Sequence, residues 1–86
     1  MERRKKIKLY SLSTCPSCKN TEKFLDEKGL KYENIEVDLL EGSEQWAVSN
    51  EVKKHNPALT FPTLVIGEET VIGYDPANIK KALDIQ

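Results

Sequence analysis

Cys15-Pro16-Ser17-Cys18 holds the only two cysteines of the chain and places them one helical turn apart. The segment constrains the structure on both sides of it. An apolar run, Ile7 to Leu12, ends just before it and suits a strand buried on both faces. A helix then begins at the cysteines, with Cys15 at the N-cap and Pro16 at the first helical position, where its missing N–H costs nothing. Residues i and i+3 of a helix lie close enough to close a disulfide with little backbone movement. The loop so closed is very short, so the bridge removes little chain entropy and is a poor staple. A bond that stabilises little and opens easily points to redox chemistry.

The helix that starts there carries Cys18, Thr21, Phe24 and Leu25 on one face. Gly29 suits a left-handed C-cap, with Leu30 as its hydrophobic contact. Tyr32 to Asp38 is predicted as a second strand, with Ile35 and Val37 alternating. Strand, helix, strand over about thirty residues is a βαβ unit with parallel strands. Gly42-Ser43 opens a second helix with Ser43 as N-cap, and Asn56-Pro57 ends it. Thr63 to Ile66 and Thr70 to Ile72 are β-rich runs joined by Gly67-Glu68-Glu69, a hairpin. Asp75-Pro76 is an N-cap followed by proline, opening a helix with Ile79, Ala82 and Leu83 as its apolar stripe. The order β-α-β-α-β-β-α is an α/β arrangement. It can share a four-stranded mixed sheet flanked by helices.

At 86 residues the chain is expected to be one small domain over 1–86, led by a basic arm at 1–5. Thirteen basic and fourteen acidic residues nearly cancel, so no global field favours nucleic acid or an anionic membrane. No stretch is long and apolar enough to span a bilayer. The basic start, Arg3 to Lys6, has no long apolar segment after it, so it reads as a solvated arm and not as an export signal. A cytoplasmic, reducing location follows as the expectation. There a lone cysteine pair is catalytic or metal-binding before it is structural. Zinc usually takes four ligands, and the chain offers two cysteines and the distant His55. The competing readings are an inert bridge, or a metal or iron–sulfur carrier that uses Cys15 with another chain or with glutathione.

The chain resembles the glutaredoxin family, the minimal form of the thioredoxin fold, from about Lys6 to Leu83. The resemblance rests on Tyr10-Ser11, Thr14-Cys15-Pro16-Ser17-Cys18, Thr60-Phe61-Pro62-Thr63 and Gly73-Tyr74-Asp75, in the right order on the right elements. It implies a disulfide oxidoreductase in which Cys15 attacks a substrate disulfide and Cys18 resolves the mixed disulfide. It implies a cis Pro62 beside the cysteines. It also implies a substrate or glutathione site built from Thr14, Pro16, Thr60, Phe61, Pro62, Gly73, Tyr74 and Asp75. No bound cofactor or metal is implied; glutathione would serve as reductant and disulfide-bearing proteins or glutathione as substrates, with the protein a monomer. Ser13 stands where glutaredoxins often have a lysine for a glutathione carboxylate. Gly73-Tyr74 resembles the glutaredoxin-like hydrogen donors fed by thioredoxin reductase, so that electron source stands as the alternative.

Thiol exchange needs a thiolate, and a helix N-terminus favours negative charge at Cys15. Cys18, one turn in and facing the core, should be the more buried and less acidic thiol. Lys19 and Lys23 lie one turn apart beside the pair, as a solvated face or as a positive rim for an acidic partner. His55 is expected as a helix-end cation or a partly buried packing residue. Trp46 is expected to pack rather than to serve as a recognition platform. Tyr10 and Tyr74 either line a groove around Cys15 or simply pack.

Overall fold

The computed structural model describes residues 6–83. The expected basic arm, 1–5, lies outside the described residues; Lys6, which follows it, is exposed.

The apolar run that precedes the cysteines forms β1 (Ile7–Ser11). It is followed by α1 (Pro16–Glu27), β2 (Glu33–Glu36), α2 (Gly42–His55), β3 (Thr63–Ile66), β4 (Glu69–Ile72) and α3 (Pro76–Leu83). The strands form one mixed sheet in the order β2-β1-β3-β4. β1 runs parallel to β2 and antiparallel to β3, and β3 runs antiparallel to β4. This is the α/β arrangement expected of a minimal thioredoxin fold. β1 and β3 are the central strands, which is why they are almost wholly buried while edge strands β2 and β4 carry exposed polar residues such as Glu33, Asn34 and Glu69.

Each face of the sheet is covered. Ile7, Leu9, Leu64 and Ile66 point to one side and pack with Leu25 of α1, Val71 of β4, and Ile79 and Ala82 of α3. Tyr10 and Val65 point to the other side and pack with Val37 and with Val52 of α2. Leu9 and Leu64 are register partners on β1 and β3 and both are fully buried. A buried leucine contributes roughly 2 kcal/mol by removal from water, so this pair and its neighbours outweigh any single cap.

The helix ends follow local signals. α1 stops in a Schellman turn: Gly29 N–H donates to the Asp26 carbonyl at 3.0 Å and Leu30 N–H to the Leu25 carbonyl at 3.1 Å. Gly29 has φ 69, the left-handed conformation that glycine adopts without cost. Asp75 caps α3, accepting the Asn78 N–H at 3.3 Å.

Three expectations are corrected. The second strand ends at Glu36, not Asp38. Its register with β1 runs out at Ser11–Glu36, and Val37–Leu39 coils into a 3-10 turn that buries Val37 beneath α2. Ser43 is not the N-cap of α2: Glu41 holds that position, without a side-chain cap bond. The helix start is instead tied down by Gln45, whose Nε2 donates to the carbonyls of Val37 at 3.1 Å and Leu40 at 3.0 Å. Trp46 does not pack in the core but is 70 % exposed. The inward face of α2 is set by Val48 and Val52, and Trp46 lies two residues from Val48, roughly 160° around the helix from it.

Candidate active site

The strand-to-helix junction holds both thiols. Cys15 occupies the N-cap of α1 in extended conformation, and Pro16 takes the first helical position. The Cys18 N–H donates to Cys15 Sγ at 3.2 Å, so a backbone donor is aimed at the sulfur that would carry charge as a thiolate. Cys15 is partly exposed, and Cys18, one turn deeper, is fully buried. Both are free thiols.

Burial pushes the Cys18 thiol up to about 12, and the Cys15 side chain beside it adds to the effect. The consequence for stability has a definite sign. The folded-state value is raised above the ordinary 9.0, so between about 9 and 12 the unfolded chain releases this proton while the folded chain keeps it. The unfolded state then binds fewer protons, and stability falls as pH rises through that window. Burial also raises Tyr10 and Tyr32, which act in the same direction at higher pH. The urea midpoint of the reduced protein is therefore expected to drop from about pH 9 upward, and to drop less in Cys18→Ser. Parallel curves for the two proteins would contradict a buried, protonated Cys18.

The rest of the site comes from the entry to β3, the strand paired with β1, and from the segment after β4. The Phe61–Pro62 peptide bond is cis. The Phe61 carbonyl lies 3.9 Å from Cys15 Sγ, although the residues are 46 apart in sequence. Pro62 is fully buried at the entry to β3, Phe61 is partly buried and Thr60 is exposed. The Gly73 N–H donates to the Pro62 carbonyl at 2.9 Å, which joins the segment after β4 to the same spot. Tyr74, next along, is 41 % exposed. Asp75 is committed to its helix: besides the Asn78 N–H it accepts from Asn78 Nδ2 at 2.6 Å. Thr14 and Pro16 flank Cys15 and are exposed, as are Lys19 and Lys23 on α1. Thus Cys15, Phe61, Pro62 and Gly73 are brought together by direct contacts. Tyr10 is not part of the groove: it is buried against α2 on the opposite side of the sheet from α1. His55 is partly buried at the end of α2, its Nδ1 3.4 Å from Thr70 Oγ1, and takes no part in the site.

Two residues of the site carried no signal of their own in the sequence. Asp38, on the 3-10 turn, accepts the Ser13 N–H at 2.9 Å on one oxygen and the Ser13 hydroxyl on the other. These bonds, the hydroxyl first, hold the Asp38 carboxyl below its ordinary value and pin the loop that leads into Cys15. The position before Thr14 is thereby a neutral side chain already engaged by an acid. Asn56 is the second, buried beneath the Thr60–Thr63 segment. A polar residue followed by proline at a helix end reads as a stop signal, and its side-chain partners depend on how the following loop folds back. Among the described residues, no three His, Cys, Asp or Glu side chains cluster closely enough to hold a metal ion. No helix among them is long and apolar enough to cross a membrane.

Residues 7–71 match the glutaredoxin family model. The chain belongs to the glutaredoxin family. Thiol–disulfide oxidoreductase activity is the chemistry that membership implies. The chain is 35 % identical over 76 residues to glutaredoxin 1 of Rickettsia prowazekii, covering 87 % of this chain and 77 % of that relative. The crystal structure of Methanosarcina acetivorans methanoredoxin is similar with a TM-score of 0.88 at 40 % identity, covering 93 % of this chain and 85 % of that one. A buckwheat glutaredoxin–glutathione complex matches with a TM-score of 0.70 at 25 % identity, covering 90 % and 68 %. The thioredoxin fold of the glutaredoxins thus extends over nearly all of the described chain.

Proposed function

We propose that the protein is a dithiol glutaredoxin-type reductase, a single domain acting as a monomer on protein or glutathione mixed disulfides. The observation that carries the reading is the asymmetry of the two thiols: Cys15 is accessible at the helix N-cap beneath a backbone donor, and Cys18 is buried one turn away. The Cys15 thiolate attacks one sulfur of the substrate disulfide, forming a mixed disulfide and releasing the other sulfur as a thiolate. Cys18 then loses its proton and attacks Cys15 Sγ. The second substrate sulfur leaves as thiolate, and a Cys15–Cys18 disulfide remains. Two electrons from an external dithiol or two thiols restore the pair. An extended substrate would lie against Thr60, Phe61 and Pro62, with Thr14, Pro16, Gly73, Tyr74 and Asp75 at the rim.

Glutathione is the proposed reductant, supported by the likeness to a glutaredoxin solved with glutathione. A thioredoxin-reductase-type source is the second reading. It is favoured by Ser13, which offers no cation to a glutathione carboxylate and is engaged by Asp38. Reduction of a small mixed disulfide, with glutathione and glutathione reductase as sole electron source, tests both. Sustained turnover is expected. Turnover only with thioredoxin reductase would transfer the reading to the second source. Failure with both, in protein whose two thiols titrate as free, would sink the assignment.

A further inference from the structure

The loop between α2 and β3 is built around one buried amide. Asn56 is 2 % exposed. Its Nδ2 donates to the Thr60 carbonyl at 3.0 Å, to Thr60 Oγ1 at 2.9 Å and to Thr63 Oγ1 at 3.1 Å. Thr63 Oγ1 donates in turn to the Thr60 carbonyl at 2.8 Å, closing a ring of bonds. The backbone of Asn56 serves the same loop. Its N–H ends α2 on the Val52 carbonyl at 2.7 Å, and its carbonyl accepts the Leu59 N–H at 2.9 Å. Leu59 is held at φ 54, a conformation a leucine seldom adopts without such a bond.

This ring sits one residue from the chemistry. Phe61 follows Thr60 directly, and the Phe61 carbonyl is the group 3.9 Å from Cys15 Sγ. The other end of the segment is fixed where Pro62 accepts the Gly73 N–H. Leu59 and Phe61 are partly buried against the cluster of Tyr10, Val37, Val52 and Val65, while Pro57, Ala58 and Thr60 are exposed. Thr60, between the two packed side chains, is held by hydrogen bonds, and the central donor is Asn56. A buried amide with both hydrogens engaged resists rearrangement, because any shift leaves donors unmatched away from water. A site prepared in this way spares the substrate the cost of ordering the loop on binding.

We propose that Asn56 is a positioning residue for substrate: its side chain sets the Thr60–Phe61 backbone over Cys15 so that an extended disulfide-bearing peptide is aligned for attack. The proposal rests on the thiol–disulfide reading above. It separates two functions within the site. The reactivity of Cys15 belongs to the start of α1, and the alignment of substrate belongs to the amide beneath the opposite loop.

Asn56→Asp tests this with no change of shape. A carboxylate donates nothing and would face the Thr60 carbonyl and the Thr63 oxygen, so the loop must move. KM and kcat are measured with an extended peptide carrying a mixed disulfide. Alkylation of the reduced protein by iodoacetamide reports Cys15, since Cys18 is fully buried. We expect KM to rise about tenfold while alkylation stays within about twofold of the parent, as for lost alignment without lost nucleophilicity. An unchanged KM would overturn the proposal. So would alkylation that falls in step with the peptide kinetics, because that is the mark of general damage. Thr63→Val provides the same comparison should Asn56→Asp not fold; it removes the hydroxyl that accepts from Asn56 and donates to the Thr60 carbonyl, and is expected to raise KM about threefold. Parent-like peptide kinetics in Thr63→Val would overturn the proposal equally. Should the parent protein itself fail to reduce the peptide, the reading of the site falls first and this inference with it.

Discussion

Cys15→Ser is expected to abolish disulfide reduction, leaving only the uncatalysed background. A serine oxygen cannot form the disulfide bond to substrate, so no mixed disulfide exists for Cys18 to resolve. The local structure should survive: serine is a good N-cap, and its oxygen can accept the Cys18 N–H that now points at the sulfur. Loss of activity with an unchanged melting temperature would therefore isolate the chemistry. Cys18→Ser behaves differently. Attack by Cys15 still occurs, and the mixed disulfide persists until an outside thiol resolves it. Mass spectrometry of Cys18→Ser after exposure to a disulfide should find one substrate moiety on Cys15. Turnover should persist only where glutathione can act as the resolving thiol. Full activity in Cys15→Ser, or a substrate adduct on Cys18, would refute the assigned order of attack.

Leu64→Ala is expected to destabilise the fold by about 3 kcal/mol, within the range of 2–5 for leucine truncations in cores. Leu64 is fully buried on central strand β3, opposite Leu9 of β1, in the cluster that also takes in α1 and α3. Truncation leaves a void under two helices at once, and well-packed neighbours relax into such voids only in part. A domain of this size has a total stability of roughly 5–15 kcal/mol, so the loss is a large fraction. The melting temperature should fall by on the order of 15 °C. Leu39→Ala is the comparison: that side chain is 62 % exposed, and its removal should change stability by about 0.5 kcal/mol or less. A loss below about 1 kcal/mol for Leu64→Ala would mean that the core is not packed as described. Leu9→Ala should cost a similar amount. The two losses should not add, because the pair shares one cavity.

Most of the fold was legible in the chain because its signals are local. Pro16 after an N-cap cysteine, Gly29 just past the Lys28 C-cap of α1, and Asp75-Pro76 at the start of α3 act within a few residues of themselves. Their bonds are those the structure contains. The apolar run before the cysteines likewise predicts a strand buried on both faces, and β1 is a central strand, whereas the hairpin runs do not say which of β3 and β4 lies inside the sheet. Errors arose where a local pattern competed with a distant partner. Ile35 and Val37 alternate as a strand would, yet β2 ends at Glu36 because β1 ends at Ser11, and Asp38 turns to meet Ser13. The chemistry of Trp46 alone predicts packing, but the angular position of Val48 and Val52 around α2 decides which side faces the sheet.

The sequence by itself determined that two thiols stand one turn apart at the start of a helix, the first at its N-cap, because capping and helix spacing need only neighbouring residues. The tertiary structure alone decided what stands over them. The sheet order brings Phe61 to Cys15 across 46 positions, Asp38 to Ser13 across 25, and folds the loop after α2 back over Asn56. Such contacts exist only after the strands have paired and the helices have covered both faces, so no spacing along the chain announces them.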